Sequence, residues 1–126
     1  MKREIKFRAW QPQVKRMFEV GDIDFIKEEV MLRQWGWESS NDIDLMQYTG
    51  LKDNNGREIY GGDIVRTGED NIGDPDPMIG QVIMREGSWL IENEKKQEAM
   101  ELFSEITSRE VIGNIFENPE LLEGKQ

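Results

Sequence analysis

The closely spaced turn signals in the middle third of this 126-residue chain constrain its fold more than any other feature. Residues 45–65 read LMQYTGLKDNNGREIYGGDIV, in which short apolar groups are separated by glycine, asparagine and aspartate. Asn55-Gly56 predicts a type I′ turn, because both central positions of that turn need positive φ. Residues 61–63 (GGD) indicate a second turn. We therefore interpret this segment as short strands joined by turns, and not as a ligand-binding loop.

The same pattern continues on both sides of this segment. Ile5, Phe7 and Ala9 alternate with basic residues, which is typical of a half-buried strand. Gly21 and Asp22 indicate a turn, and residues 30–35 fit a strand or a helix equally well. Further short strands are expected at 16–20, 23–26, 45–50, 57–60, 64–65, 80–84, 88–91 and 111–116, the last with a bulge or close packing at Gly113. Short strands at this close spacing predict a mainly β fold, arranged as a small bent barrel or sandwich that hides the strand edges.

Two short helices are expected near the C-terminus. Asn93 is placed to cap the first helix. The apolar face of this helix would hold residues at the spacing i, i+3, i+4 and i+7, namely Ala99, Leu102, Phe103 and Ile106. Asn118-Pro119 resembles the start of a second helix of at most two turns.

The length of the chain fits a single domain, 1–126, with a flexible acidic loop at about residues 67–78.

The amino-acid composition excludes several kinds of catalytic and metal-binding site. The chain has no histidine and no cysteine, which excludes Ser-His-Asp triads, cysteine nucleophiles and the usual zinc sites. A calcium loop of the EF-hand type with its glycine at Gly56 would need oxygen ligands at Leu51 and Gly62, whose side chains have none. We therefore expect no metal ion, no cofactor and no catalytic residue, and the sequence identifies no small-molecule substrate.

One pattern suggests an enzyme as the alternative. Asp76 followed by Glu94 and Lys96 matches the Asp…Glu-x-Lys arrangement of nucleases that use Mg²⁺ to activate water. However, Asp76 lies between two prolines, and Glu94 falls at the start of the expected helix. A chain with 26 acidic residues produces such a spacing easily by chance. The Mg²⁺-dependent nuclease therefore stays an alternative, and we expect the protein not to be an enzyme.

The charges are distributed unevenly along the chain. Six basic residues against Glu4 give residues 1–16 a net charge of +5, whereas 10 basic and 25 acidic residues give the remaining 110 a net charge of −15. Such an acidic body repels phosphate backbones, so we expect a protein partner or self-association rather than a nucleic-acid partner. A nucleic-acid-binding regulator remains a second alternative, and it would use the basic residues of the first strand, namely Lys2, Arg3, Lys6 and Arg8.

The four tryptophans divide into two groups. Trp10 and Trp89 are interpreted as core residues. Trp35 and Trp37 flank a glycine, and a strand would place both rings on one face. The pair fits a core position and an interface equally well.

Nothing in the sequence indicates a membrane protein or a secreted one. No run approaches the roughly 20 apolar residues that span a bilayer, and no apolar stretch follows the basic start. The absence of cysteine suits a reducing compartment. We expect a cytoplasmic protein.

Three segments resemble the YopX-like family of bacteriophage and prophage proteins: REIKFRAW at 3–10, the segment 45–65 quoted above, and EVIGNIFENPELL at 110–122. The resemblance implies a mainly β fold and a phage or prophage origin, and hence the cytoplasm of a bacterial host cell. It implies no activity and identifies no catalytic residue. Residues 67–107, which include the nuclease-like pattern, depart from the family's pattern. We therefore expect a non-enzymatic accessory protein that binds a protein partner or associates with itself.

Overall fold

A computed structural model of the chain describes residues 5–68, 78–102 and 108–123. These parts form eleven strands and two short 3₁₀ turns, and they contain no α-helix. The strands are β1 (Phe7–Gln11), β2 (Arg16–Asp24), β3 (Glu29–Leu32), β4 (Gly36–Ser39), β5 (Asp44–Lys52), β6 (Glu58–Tyr60), β7 (Asp63–Gly68), β8 (Met78–Arg85), β9 (Ser88–Asn93), β10 (Glu98–Glu101) and β11 (Ser108–Asn114), and the 3₁₀ turns are Ser40–Asp42 and Pro119–Glu123.

The strands form two antiparallel sheets. One has six strands in the order β4-β3-β2-β1-β5-β6, and the other has five in the order β10-β9-β8-β7-β11. The predicted mainly β class is therefore confirmed. The chain divides into two compact units, residues 1–48 and 49–126, and β5 begins in the first and ends in the second. The prediction of one domain over residues 1–126 stays a prediction.

The first unit is a meander of β1 to β4 with the start of β5. Its core combines residues from one face of β1, β2 and β3 with Ile43, which precedes β5; the members are Ala9, Phe18, Val30, Leu32 and Ile43. Ala9 of β1 lies opposite Phe18 of β2, and Val20 of β2 lies opposite Leu32 of β3.

Strand β2 is longer than the sequence indicated. The turn predicted at Gly21 and Asp22 is wrong, because β2 continues through both residues to Asp24. The register against β3 shifts between Val20 and Asp22, so one extra residue is absorbed as a bulge. A glycine and an aspartate mark a turn or a bulge equally well, and the pairing with β3 decides between them.

The second unit has its own core, which lies between strands that are distant in sequence. The buried members are Ile59, Val65, Val82, Ile91, Leu102 and Val111. Strands β7, β8 and β9 form a meander, and β11 returns to pair with β7. Its register shifts between Val111 and Gly113, which confirms the bulge predicted at Gly113.

The helix predicted after Asn93 is wrong where the structure describes it. Asn93 accepts the Lys96 N–H through Oδ1 (3.1 Å) and so closes a tight turn, and Gln97 then takes a φ of 55°. The chain reverses there into β10, where Met100 pairs with Ile91 of β9. Phe103 and Ile106 lie outside the described residues, as do residues 69–77 of the predicted acidic loop.

The second predicted helix is present as the 3₁₀ turn Pro119–Glu123, which starts at the proline as expected. No helix in the described parts of the chain is long and apolar enough to cross a membrane.

Candidate functional site

Only two of the three residues of the nuclease-like pattern lie in the described part of the chain, so the pattern stays a prediction. Glu94 and Lys96 are exposed on the turn between β9 and β10, and Asp76 lies outside the described residues. A cavity of about 280 Å³ beside this turn is lined by Glu92, Glu94 and Glu98 among others, but it has no basic residue. Over residues 5–68, 78–102 and 108–123, no three histidine, cysteine, aspartate or glutamate side chains lie close enough together to hold a metal ion.

The basic residues of the first strand are only partly described. Lys2 and Arg3 lie outside the described residues. Lys6 places its ammonium group 5.4 Å from the centroid of the Tyr48 ring, which is cation–π geometry. Arg8 is half-buried opposite Glu19 of β2. The two described cations therefore have neighbours within their own sheet.

Asp53 explains why the segment 45–65 is so rich in turn residues. Its side chain is 8% exposed and accepts three backbone N–H groups, from Asn55 (2.8 Å) and Arg57 (2.9 Å) through Oδ1 and from Val111 (2.9 Å) through Oδ2. Arg57 also donates from Nη1 to the Val111 carbonyl (3.1 Å). This carboxylate ties the β5–β6 turn to β11, and the interpretation of the segment as scaffold fits this role.

The hydrogen bonds also change the acidity of this group. Burial alone would raise the pKa of Asp53, but the N–H groups of Val111, Arg57 and Asn55 and the Arg57 charge together hold that pKa below its usual value. A carboxylate engaged in this way is saturated by its own backbone, so Asp53 is not a candidate base or ligand.

The turn itself differs from the one predicted. Gly56 has a φ of 81°, but Asn55 does not have positive φ, and the Gly56 N–H donates to the Asp53 carbonyl (3.0 Å). The prediction of type I′ is therefore wrong in detail. The hairpin closes through a turn followed by a left-handed glycine, because the Asp53 carboxylate holds the N–H groups of Asn55 and Arg57.

The four tryptophans differ in how deeply they are buried. Trp10 is buried, which confirms its prediction as a core residue, and Trp89 is partly buried and packs against the core of the second unit. Trp35 lies in the β3–β4 turn, 5.2 Å from Phe18 between ring centroids, and its Nε1 donates to Glu38 (2.5 Å). Trp37 lies in β4 opposite Met31.

Trp35 and Trp37 therefore do not share one face of a strand. Cross-strand partners point to the same side of a sheet, so Trp37 lies on the side of Met31, whereas Trp35 packs against the core residue Phe18. The expectation of one common face was wrong because β4 begins only at Gly36. Both rings are partly exposed, at 43% and 49%.

The most unusual surface of the first unit is the tip of the β2–β3 hairpin. Phe25 is 82% exposed and Ile26 is 95% exposed, and the two are adjacent in the turn at residues 25–28. Turns normally carry glycine, proline, asparagine, aspartate or serine. We call residues 24–29 the hairpin tip.

The hairpin tip has a defined conformation. The Asp24 carboxylate accepts the N–H groups of Ile26 and Lys27 through Oδ1, both at 3.0 Å. Glu28 takes a φ of 57°, which closes the turn. The two apolar side chains are therefore displayed by a backbone that is already held in place.

A groove lies near the base of the same hairpin. It has a volume of about 700 Å³ and is lined by residues of both strands and of the turn after β3, namely Arg16, Met17, Phe18, Glu19, Gly21, Met31, Arg33 and Gln34. We call this the basal groove. Its lining combines apolar side chains with two arginines and one glutamate.

This hairpin was not among the sites predicted from the sequence. Residues 23–26 were predicted as a strand, where an apolar Phe-Ile pair needs no explanation. The available signal was the setting of Phe25 and Ile26 between Asp24 and the charged run 27–29, since an apolar pair within a charged turn has no core to join.

Comparison with known proteins places the chain in a family but assigns no activity. A family model described as YopX protein matches residues 6–123. The crystal structure of protein EF1440 from Enterococcus faecalis superposes with a TM-score of 0.67 at 24% identity, covering 96% of this chain and 99% of that one. The crystal structure of protein yopX from Bacillus subtilis gives a TM-score of 0.63 at 19% identity, covering 92% and 96%. The curated proteins gave no match.

Proposed function

The chain belongs to the YopX family, and we propose that it is a non-enzymatic protein-binding module that binds through the tip of its β2–β3 hairpin. The observation that carries this proposal is the almost complete exposure of Phe25 and Ile26. As part of the same proposal, it is a phage- or prophage-encoded accessory protein of the bacterial cytoplasm, which its lack of cysteine suits.

Exposure of these two side chains has a free-energy cost that binding would recover. Burying a large apolar side chain is worth about 1.5–3 kcal/mol relative to leaving it in water. Single exposed apolar residues are common on protein surfaces, but here two adjacent ones stand on the same turn. A partner with an apolar pocket would gain from both together.

The fixed backbone of the hairpin tip favours binding further. The Asp24 carboxylate already holds the N–H groups of Ile26 and Lys27, so little backbone entropy would be lost when a partner binds. An aromatic side chain presented on a rigid element is also the usual kind of anchor in protein interfaces.

The charges around the tip indicate what kind of partner would fit. Asp24, Glu28 and Glu29 surround the apolar pair, against Lys27 alone. This acidic setting would repel nucleic acid and anionic lipid, and it would attract a protein surface with basic residues around an apolar pocket.

The proposal that the protein is not an enzyme rests on its composition, which offers neither histidine nor cysteine.

Site-specific photo-crosslinking tests this proposal. A benzophenone amino acid replaces Phe25 in the full chain, which is produced in its bacterial host and irradiated. We expect discrete adducts whose yield falls when an excess of the unmodified chain is present, and does not fall with an excess of the chain carrying Phe25→Asp and Ile26→Asp.

The control places the same photo-reactive residue at Val14, which is 40% exposed in the turn of the neighbouring β1–β2 hairpin. Equal adduct yields from positions 14 and 25, or adducts that do not respond to competition, would show that the tip is not a binding surface.

A further inference from the structure

We infer that the basal groove of one molecule receives the hairpin tip of a second copy of this chain, and that two hairpins pack antiparallel to form a two-fold symmetric dimer. This inference rests on the proposed function, because it names the partner of the same hairpin. The juxtaposition behind it lies on one two-stranded ribbon: an acidic tip that carries two apolar side chains, and a mixed groove that carries two arginines and two methionines.

The groove has the chemistry that the tip requires. Met17 and Met31 supply the apolar part of the lining beside the largely buried Phe18, and methionine side chains adapt readily to the shape of an inserted group. A volume of about 700 Å³ lies within the range of pockets that hold small organic ligands, so it has room for a phenylalanine and an isoleucine side chain.

Gly21 sets the position of the Met31 side chain in the groove lining. A Cβ atom at this position would lie 2.6 Å from the Met31 Cε, so the absence of a side chain lets the methionine lie over the β2 backbone. The partly exposed Trp37, opposite Met31 in β4, extends the apolar surface on the same side of the sheet.

The charges of the two surfaces are complementary. The groove carries Arg16 and Arg33 against Glu19, whereas the tip carries Asp24, Glu28 and Glu29 against Lys27. Arg33 lies 3.9 Å from Glu19, but both side chains are largely exposed, at 65% and 82%. Such a surface pair is weak, so Arg33 can exchange it for an acidic side chain of a second copy at little cost.

The tip of a molecule does not reach its own groove. Phe25 at the tip lies four residues beyond Gly21, which is the groove residue of β2 nearest to it, and this corresponds to about 13 Å in extended chain. Two hairpins lying side by side in opposite directions bring each tip to the other's groove. The same contact is then made twice, so the assembly closes as a dimer and leaves neither surface free to extend a filament.

Sedimentation equilibrium of the full chain tests the inference. We expect reversible dimers, a dissociation constant raised about tenfold or more by Phe25→Asp with Ile26→Asp, and weaker association at high salt. Met84→Asp is the matched control, because Met84 is 49% exposed but lies in β8, and it should leave the dissociation constant unchanged.

A charge exchange makes the test independent of folding. Arg33→Glu and Glu28→Arg should each weaken their own homodimer, because each places like charges opposite one another. A mixture of the two variants should dimerise again, since every tip then meets a groove of opposite charge. No change in fold caused by either substitution produces this rescue.

The possible outcomes separate this inference from the proposed function. The dimer would be overturned if the chain remained monomeric at millimolar concentration. It would also be overturned if the tip substitutions left the dissociation constant unchanged, or if mixing the two charge variants did not restore dimerisation. Competed adducts from position 25 to other proteins would in that case still support the hairpin as a binding surface. If position 25 gives no competed adducts, either to other proteins or to a second copy of the chain, both proposals fail.

Discussion

Asp53 is a single residue that joins parts of the chain far apart in sequence. Its carboxylate accepts an N–H from Val111, 58 residues away, while it also holds the turn that follows it. A buried carboxylate with three N–H donors is stable because each hydrogen bond is assisted by charge, and the bonds together offset the loss of hydration.

Asp53→Asn should lower the free energy of unfolding by about 2–3 kcal/mol, because an amide replaces the charge and points an N–H at the Val111 or the Arg57 N–H. Urea unfolding followed by tryptophan fluorescence measures this change. Asp44→Asn is the matched control, since Asp44 is exposed in β5 and should change stability by less than about 0.5 kcal/mol. Equal effects of the two substitutions would contradict the role given to Asp53.

The lowered pKa of Asp53 predicts a dependence on pH. The folded carboxyl binds a proton less readily than the unfolded one, whose ordinary value is 3.8. Its contribution to stability is therefore complete above that value and is lost as the pH falls through it and through the lower folded pKa. The difference in unfolding free energy between the wild type and Asp53→Asn should shrink from about pH 6 to about pH 3. A difference that is constant over this range would contradict the shift.

At the scale of strands and hairpins, glycines serve different purposes that the sequence alone does not distinguish. Gly80 lies in β8 where an added Cβ would be 2.9 Å from the Glu92 carbonyl oxygen of β9. At Gly21 in β2 the added atom would lie 2.6 Å from the end of the Met31 side chain and 3.4 Å from the Arg33 Cγ, and it would meet no backbone atom that close. Backbone of a paired strand does not move aside easily, whereas a methionine side chain does.

Gly80→Ala should therefore destabilise the protein by about 1–3 kcal/mol, as overpacking does, and Gly21→Ala by clearly less. Neither glycine has positive φ, so the comparison isolates packing from backbone strain. Chemical denaturation of the two variants gives the ranking. A larger loss of stability for Gly21→Ala than for Gly80→Ala would show that the backbone geometry of the bulge, and not the contact with Met31, determines the cost of a side chain at position 21.

On the scale of the whole molecule, each of the two units forms a core of its own. Leu32 is fully buried in the first unit and Leu102 in the second. The charge is divided as well: residues 1–48 hold 8 basic and 9 acidic residues, and residues 49–126 hold 8 and 17. The acidity of the protein therefore lies mainly in the second unit, and the proposed binding hairpin lies in the nearly neutral first unit.

Leu32→Ala and Leu102→Ala should each cost about 2–5 kcal/mol, the usual range for emptying a buried leucine site. Hydrogen exchange monitored by mass spectrometry should show faster exchange first in β2 and β3 for Leu32→Ala, and first in β8 and β9 for Leu102→Ala. Phe25→Asp with Ile26→Asp provides the control, since exposed side chains contribute little to folding. Identical exchange patterns in the two leucine variants would show that the units unfold as one.

The local elements were largely predictable from the sequence. Glu86 and Gly87 join β8 to β9 with positive φ at both positions, which is the geometry expected of a two-residue hairpin loop. Gly113 marks a bulge, where a Cβ would lie 2.5 Å from the Asn118 Oδ1. Turn chemistry depends on sterics within a few residues, so short segments are enough to reveal it.

Other elements depended on partners that are distant in sequence. Residues 98–101 have a spacing that fits a helix, but they form β10 because β9 offers an unpaired edge and Met100 packs against the second core. The candidate site was missed for the same kind of reason. Whether Phe25 and Ile26 extend β2 or turn away from it depends on where the bulge at Gly21 places the rest of the strand against β3.

The sequence by itself determined that this chain forms short antiparallel strands and excludes histidine and cysteine chemistry, because turn sterics and composition are properties of neighbouring residues. Only the tertiary structure decided that Asp53 binds Val111, that Trp35 and Trp37 lie on different sides, and that an apolar pair protrudes from a hairpin above a groove with two arginines. Each of these depends on strand register, and register is set by pairing across the sheet and not by the order of residues within one strand.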